Sequence, residues 1–347
     1  MHVYTHLIKE NIAPVGAKNF GVYDKLGTQI CTIPLGKLKQ PEEQKLYNFL
    51  AISDVHVQYE TASDDLSKAL TYAEANCDFT CICGDLTDTA AIESQLAEYK
   101  NIINTYAKTK PVYAIAGNHE NYNGYSDKYL EKYTGQPLYY SFTKGEDVFI
   151  MMGHYGAYAG DGIGWLPSEF ISLEELQWLY ETLEANRNKR CFIFNHVFPT
   201  EHEVGNPTNF YKSVLAWKTT DNYIGQAYIN LLKHYKNAIL FHGHTHSKLE
   251  LQELAKTANY SNKYGYKSIH IPSLAAPRDI IDGTSTNMFA ESEGYIIDVY
   301  ENKIVLRGRN FVKNEDIPLG TYCLDTTLVN IEAGTFIDDT DTIKLIN

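Results

Sequence analysis

Short apolar runs recur along the middle of the chain, and polar side chains follow each run at once. The runs are LYNFLAIS (46–53), FTCIC (79–83), VYAIA (112–116), CFIF (191–194) and AILF (238–241). Continuous apolar runs of this length are typical of strands that are buried on both faces of a sheet. We therefore predict five buried strands, each of which ends at a polar cluster.

Between several of these runs, apolar side chains recur at helical spacing. The patterns cover residues 63–75, 90–106 and 221–235, with Ser63 as the candidate N-cap of the first, and a capping-box pattern at Ser172–Glu175 begins a fourth helix. Strands that alternate with helices predict a layered α/β fold. Ligands of such folds bind beyond the carboxyl ends of the strands, so we expect the five polar clusters to meet at one edge of a sheet.

The two ends of the chain lack helical periodicity and carry short β-like stretches. We predict an N-terminal β extension over residues 1–45, a core over 46–311 and a C-terminal β extension over 312–347. Within the core, residues 294–311 predict a hairpin that turns at Glu301–Asn302. An independent C-terminal module is the less favoured interpretation.

The composition is that of a globular protein, with 44% apolar and 21% charged residues. A net charge of −13 repels polyanions, and no Lys/Arg cluster is long enough to follow a nucleic-acid backbone, so long DNA or RNA is not an expected partner. No apolar run reaches membrane-span length, and the first residues have neither the basic start nor the apolar core of a signal peptide. We expect a cytoplasmic protein without a membrane partner, and the oligomeric state does not follow from the sequence.

Seven side chains in the polar clusters are potential metal ligands. They are Asp54, His56, Asp85, Asn118, His196, His244 and His246. Oxygen and nitrogen ligands without a thiolate suit borderline divalent ions such as Mn, Fe, Co, Ni or Zn. Seven ligands are too many for one four-coordinate zinc ion, but they suit two divalent ions that share a bridging carboxylate.

The order of these residues resembles the five motifs of the calcineurin-like metallophosphoesterase superfamily. The matching motifs are Asp54-x-His56, Gly84-Asp85, Gly117-Asn118-His119-Glu120, His196 and Gly243-His244-x-His246, and the likeness covers roughly residues 46–246. Single motifs of this kind occur by chance, whereas five in order, each after a predicted strand, are specific. The resemblance implies a layered α/β/β/α sandwich that hydrolyses a phosphoester with two divalent metal ions.

The resemblance also implies a role for each side chain. Asp54, His56 and His246 would hold the first metal ion, Asn118, His196 and His244 would hold the second, and Asp85 would bridge them. His119 would bind no metal, and it would protonate the leaving oxygen while a hydroxide between the two ions attacks phosphorus. The implied substrate is a phosphomonoester or a small phosphodiester.

Two other functions fit the same residues less well. A nuclease on this metal core would need a basic groove, which the acidic balance does not favour. A non-catalytic binding or scaffold protein would be expected to lack ligands or the acid, whereas His119 and the seven ligands are present. Further candidates for substrate binding are His154, Trp165 and Arg278, although pairing with a carboxylate is the favoured interpretation of Arg278.

Overall fold

The computed structural model describes residues 19–23, 29–34, 43–88, 92–121, 126–153, 171–197, 223–251, 259–262, 265–281 and 284–333, with the backbone alone for 19–23 and 29–34. In chain order its strands are β1 (Asn19–Tyr23), β2 (Gln29–Pro34), β3 (Tyr47–Ile52), β4 (Phe79–Cys83), β5 (Val112–Ile115), β6 (Tyr140–Lys144), β7 (Asp147–Met151), β8 (Cys191–Phe194), β9 (Ala238–His242), β10 (Tyr260–Ser261), β11 (Lys267–His270), β12 (Arg278–Ile281), β13 (Thr284–Asn287), β14 (Glu293–Val299), β15 (Lys303–Asn310) and β16 (Glu315–Asp325). The five strands predicted from the apolar runs are confirmed as β3, β4, β5, β8 and β9.

The α-helices among these residues are α1 (Ala62–Asn76), α2 (Ile92–Tyr106), α3 (Ser126–Thr134), α4 (Leu173–Ala185) and α5 (Tyr223–His234). The four predicted helical segments are thus confirmed, but the predicted N-cap of the first is wrong. That helix begins at Ala62 after Thr61, and the Ser63 hydroxyl instead donates to Glu98 on α2 at 2.6 Å. A contact between two helices decides the role of this serine, and a local pattern does not report such a contact.

The strands form two six-stranded sheets and two separate hairpins. The first sheet has the order β16-β15-β14-β3-β4-β5, in which β3, β4 and β5 are parallel, and the second has the order β10-β11-β9-β8-β7-β6, in which β11, β9, β8 and β7 are parallel. The predicted 294–311 hairpin is confirmed as β14–β15, and β16 adds to it as an edge strand. The domain boundaries at 45/46 and 311/312 stay predictions.

The sheets pack face to face and carry helices on their outer faces. Between them, the ring of Phe49 on β3 lies 5.3 Å from that of Phe149 on β7 and 5.9 Å from that of Phe192 on β8. The alternate residues of β3, Leu50 and Ile52, point the other way and pack in a cluster with α1 and α2, while α4 and α5 pack on the second sheet. The α/β/β/α fold is therefore confirmed.

A buried ionic network ties the two sheets together at the amino ends of their strands. Arg190, just before β8, donates to both carboxylate oxygens of Asp147 at 3.0 and 2.6 Å, and the Tyr47 hydroxyl of β3 donates to the same carboxylate at 2.5 Å. The carboxyl ends, where the polar clusters lie, are at the opposite edge. Among the described residues, none of the helices is long and apolar enough to cross a membrane.

Candidate metal centre

The seven predicted ligands lie just beyond the carboxyl ends of strands from both sheets. Asp54 and His56 follow β3, Asp85 follows β4, Asn118 follows β5, His196 follows β8, and His244 and His246 follow β9. Backbone hydrogen bonds join these loops, since the amide of Asp54 donates to the Gly84 carbonyl at 3.1 Å and that of His56 donates to the Asp85 carbonyl at 2.9 Å. Parallel strands thus bring distant residues together, as the sequence predicts.

The backbone of this centre is unusual because many of its polar residues adopt left-handed conformations. The φ angles are 52° at Asp54, 46° at His56, 50° at Asp85, 74° at His244 and 60° at His246. Residues other than glycine rarely adopt these φ angles, because the side chain then clashes with the backbone. Such a conformation persists only where the surrounding structure enforces it. Such clustering is typical of a functional site.

Four side chains form a first group whose ligand atoms lie within 4.8 Å of one another. They are Asp54, His56, Asp85 and His246, and all are buried. Nε2 of His246 lies 3.0 Å from Oδ1 of Asp54 and 3.1 Å from Nε2 of His56. Nitrogen and carboxylate oxygen atoms that converge at these distances suit a divalent cation as their common partner.

A second group consists of Asp85, His196 and His244. Nδ1 of His196 donates its hydrogen to the Cys83 carbonyl at 2.6 Å. Nε2 is therefore the ring nitrogen that is left to bind a metal, and it lies 3.0 Å from Oδ2 of Asp85. The neighbouring Asn118 is 4% exposed. Since Asp85 belongs to both groups, it is the carboxylate that two ions would share.

Electrostatics set the protonation of these side chains before a cation binds. Burial and the charge of His196 lower the pKa of His244 to about 3, so this imidazole is neutral. Burial alone raises the pKa of Asp85, but the charges of His196 and His119 outweigh it and hold the pKa well below its ordinary value. For His196 the carboxylates of Asp85 and Asp54 outweigh burial and raise the pKa to about 9. Ionised carboxylates and neutral imidazoles are the metal-binding forms, and a cation would displace the proton that His196 holds.

His119 lies at the open side of the centre. Its Nδ1 donates to the Asp88 carbonyl at 2.6 Å, which turns Nε2 towards Asp85, 3.8 Å from Oδ2. Its side chain is 20% exposed, whereas the side chain of His246 is 9% exposed and those of His56 and Asp85 are at most 3% exposed. Nε2 of His119 can therefore reach a substrate that lies over the two groups.

Comparison with known protein families gives one matching family model. The family model described as calcineurin-like phosphoesterase matches residues 47–248, which is more than half of the chain. The chain belongs to the calcineurin-like phosphoesterase family. The resemblance read from the five motifs is thereby confirmed, and the buried Asp/His groups fit the binuclear metal centre that is typical of this family. A search of curated proteins found no match.

Two solved structures share this fold at low sequence identity and a TM-score of 0.50. A purple acid phosphatase from yellow lupin (Lupinus luteus) is 14% identical with a TM-score of 0.50, over 82% of this chain and 55% of that enzyme. GAP50 of Plasmodium is 12% identical with a TM-score of 0.50, over 87% of this chain and 94% of that protein. Vps29 of Cryptosporidium parvum is 14% identical with a TM-score of 0.37, over 82% and 100%. This chain thus matches little more than half of the lupin enzyme's length.

Of the three further candidates for substrate binding, the structure describes only Arg278. His154 and Trp165 lie outside the described residues. Arg278 begins the β12–β13 hairpin, and its Nε donates to Asn287 across that hairpin at 3.0 Å. Burial lowers the pKa of Arg278 below its ordinary value, against the opposing charge of Asp54. The Arg278 amide donates to the His246 carbonyl at 2.6 Å, so the backbone of Arg278 lies against the loop that carries His246.

The sequence analysis missed the role of Glu120, which holds two loops of the metal centre together. Glu120 is buried, and its carboxylate accepts from the Thr87 amide and hydroxyl at 2.8 and 2.9 Å and from the Gly117 amide at 2.6 Å. It thereby joins the loop that carries Asp85 to the loop that carries Asn118. The only signal in the sequence is its place directly after His119 in the motif.

Close backbone approach explains the glycines of the motifs. A Cβ on Gly117 would lie 2.1 Å from Oδ1 of Asp85, and one on Gly243 would lie 1.9 Å from the Ser53 hydroxyl oxygen and 2.6 Å from Oδ2 of Asp54. Both distances are far inside van der Waals contact. These glycines therefore leave room for the two carboxylates of the centre.

Proposed function

We propose that this chain is a metal-dependent phosphoric ester hydrolase that binds two divalent ions and acts on a phosphomonoester or a small phosphodiester. The observation that carries the proposal is the sharing of Asp85 between the two ligand groups, His56 with His246 on one side and His196 with His244 on the other. When bound, such ions neutralise the phosphate charge and lower the pKa of bound water.

The residues of the two groups have distinct roles in this proposal. Asp54, His56 and His246 hold one ion, Asn118, His196 and His244 hold the other, and Asp85 bridges the pair. The Asp88 carbonyl keeps the His119 ring in one orientation, in which Nε2 carries the proton that the leaving oxygen receives. The ions could be Mn, Fe, Co, Ni or Zn, since the donor set contains only oxygen and nitrogen.

Metal content and ester preference test the proposal together. The purified protein is loaded with Mn, Zn, Ni or Fe, its metal content is measured by mass spectrometry, and mono-aryl and bis-aryl phosphates are assayed in parallel. We expect two metal equivalents per chain and hydrolysis of one of the two ester types. Folded protein that takes up no metal would contradict the proposal.

Substitution of the acid separates metal binding from proton transfer. His119→Ala should keep both metal ions and lose roughly 10²–10⁴-fold in kcat on an ester with a poor leaving group, with a smaller loss on an activated aryl ester. His234→Ala, at the end of α5 near the amino end of β9, is the matched control and should change neither. Full turnover of the poor substrate by His119→Ala would refute the assigned role.

The rival function is a non-catalytic one. The Plasmodium protein of this fold is described as the anchor in the inner membrane complex. Fully metal-loaded protein that hydrolyses neither ester would favour a binding role for this chain. The nuclease alternative requires cleavage of oligonucleotides in preference to small esters, which the net charge of −13 does not favour.

A further inference from the structure

Thr245 lies between two predicted metal ligands, one from each ligand group. His244 belongs to the second group and His246 to the first. Thr245 is 1% exposed, so its hydroxyl is shielded from solvent and needs a hydrogen-bond partner inside the protein. A shift of Thr245 would therefore move a ligand of each group.

The Thr245 hydroxyl contacts a buried imidazole on the neighbouring strand. Its Oγ1 lies 2.8 Å from Nε2 of His270, which is the last residue of β11 and is buried. Strand β11 pairs in parallel with β9, and His270 is the register partner of His242. The strand pairing thus places His270 beside the loop that follows β9.

An asparagine decides the direction of this hydrogen bond. Nδ2 of Asn259 donates to the Leu249 carbonyl at 3.2 Å, so Oδ1 of the same amide faces Nδ1 of His270 at 3.4 Å. Because an amide oxygen only accepts, the His270 proton lies on Nδ1 and Nε2 keeps a lone pair. Burial lowers the pKa of His270 to about 4, so the ring is neutral, as this tautomer requires. The Thr245 hydroxyl is therefore the donor to Nε2.

The loop needs a fixed point because its backbone is strained. The φ angles of 74° at His244 and 60° at His246 place a left-handed residue on each side of Thr245. Such a conformation persists only where the surroundings enforce it. The Thr245 oxygen also accepts from the Ser247 amide at 3.4 Å, and the Thr245 amide donates to the Gly243 carbonyl at 3.0 Å. The hydroxyl thus joins this turn to β11.

We propose that His270 is a positioning residue of the metal centre, which fixes the loop from His244 to His246 through the Thr245 hydroxyl. This inference rests on the proposed function, because it concerns the ions that the hydrolase binds. Both ring nitrogens of His270 are used in hydrogen bonds, so His270 supports the ligands and is not one of them. One hydrogen bond beyond the ligands then affects both ions, since each group has a ligand on this loop.

Thr245→Val tests the hydrogen bond, because it replaces the hydroxyl with a methyl group of similar size. The protein is stripped of metal with a chelator, Mn is titrated calorimetrically, and the visible absorption of the Co-loaded protein reports the ligand geometry. We expect Mn affinity to fall roughly 10-fold and the Co absorption to change, whereas Thr245→Ser should restore both. Wild-type affinity in folded Thr245→Val would overturn the inference and leave the hydrolase proposal standing.

A general loss of stability also weakens metal binding, so a matched control is needed. Asn237 is buried just before β9, at the opposite end of that strand, and its Nδ2 donates to the Val329 carbonyl at 2.8 Å. Asn237→Ala should lower the free energy of unfolding and leave both the Mn affinity and the Co absorption unchanged. An equal loss of Mn affinity in this control would overturn the inference.

His270→Phe completes a double-mutant cycle with Thr245→Val. Phenylalanine keeps a planar ring but accepts no hydrogen bond from the hydroxyl. Because both substitutions remove the same bond, the double variant should bind Mn about as weakly as Thr245→Val does, and additive losses would overturn the inference. If His270→Phe does not fold, the comparison of Thr245→Val with Thr245→Ser decides alone. Folded wild-type protein that takes up no metal would overturn both this inference and the proposed function.

Discussion

The close approach of Gly117 to Asp85 makes the metal centre sensitive to a single methyl group. In Gly117→Ala the added Cβ would lie 2.1 Å from Oδ1 and 2.3 Å from the amide nitrogen of Asp85. Rotation of the Asp85 side chain relieves the first contact and leaves the second. The backbone at Asp85 must therefore move by about 0.7 Å to restore a separation of 3.0 Å.

A shift of that size exceeds what a metal site tolerates, since ligand distances vary by only about 0.2 Å. We expect overpacking to lower the free energy of unfolding by about 1–3 kcal/mol. Displacement of the shared carboxylate should also weaken metal binding by roughly 10- to 100-fold. The stabilisation that saturating metal confers should then fall by up to about 2.8 kcal/mol for one ion.

The assay is denaturant unfolding with and without Mn, combined with metal content after equilibrium dialysis. Gly308→Ala on β15 is the matched control, because its Cβ would lie 2.7 Å from Cδ1 of Leu249 and none of its nearest atoms belongs to a predicted ligand. The control should be less stable than wild type, with full stabilisation by metal. Gly117→Ala with wild-type metal affinity would refute the reasoning.

Two further predictions concern stability away from the ligands. Arg190→Met leaves the buried Asp147 carboxylate without its cation and should lower the free energy of unfolding by about 3–5 kcal/mol; denaturant titration measures the loss, which the double variant with Asp147→Asn should partly recover. Burial raises the pKa of Glu293 from 4.5 to about 8. The folded protein then binds a proton that the unfolded chain releases, so stability should fall as pH rises from about 4.5 to 8, by up to about 1.4 kcal/mol per pH unit. Glu293→Gln, which keeps an acceptor for the Leu249 amide, should flatten that slope, and an unchanged slope would contradict the assignment.

Much of the architecture follows from local pattern. Each central strand carries its own continuous apolar run, and each of α1, α2, α4 and α5 carries its own periodicity, so no distant contact is needed to predict them. The ligand set is equally local, because every metal-competent residue directly follows a predicted strand. Strand polarity alone then predicts that these residues meet at one edge.

Contacts between distant segments decided the rest. The role of Ser63 depends on Glu98 of α2. In α4 the Glu175 amide donates to the Ser172 hydroxyl at 3.1 Å, as the capping pattern predicts, but the Glu175 carboxylate accepts from the Gly153 amide at 2.8 Å. No periodicity reports either partner. Local propensity therefore places these helices and the Ser172 cap correctly, but it does not predict the distant partners of Ser63 and Glu175.

The sequence by itself determined five central strands, the β14–β15 hairpin and four of the five described helices, because each is encoded within a few consecutive residues. It also predicted the seven side chains that suit two divalent ions. Only the tertiary structure showed that the Glu120 carboxylate joins two loops and that the Arg278 amide donates to the His246 carbonyl. The bond between Asn287 and Tyr59 spans 228 positions of the chain. Tyr59 follows β3 and Asn287 precedes β14, so the pairing of these two strands brings the distant segments to the same edge of the first sheet.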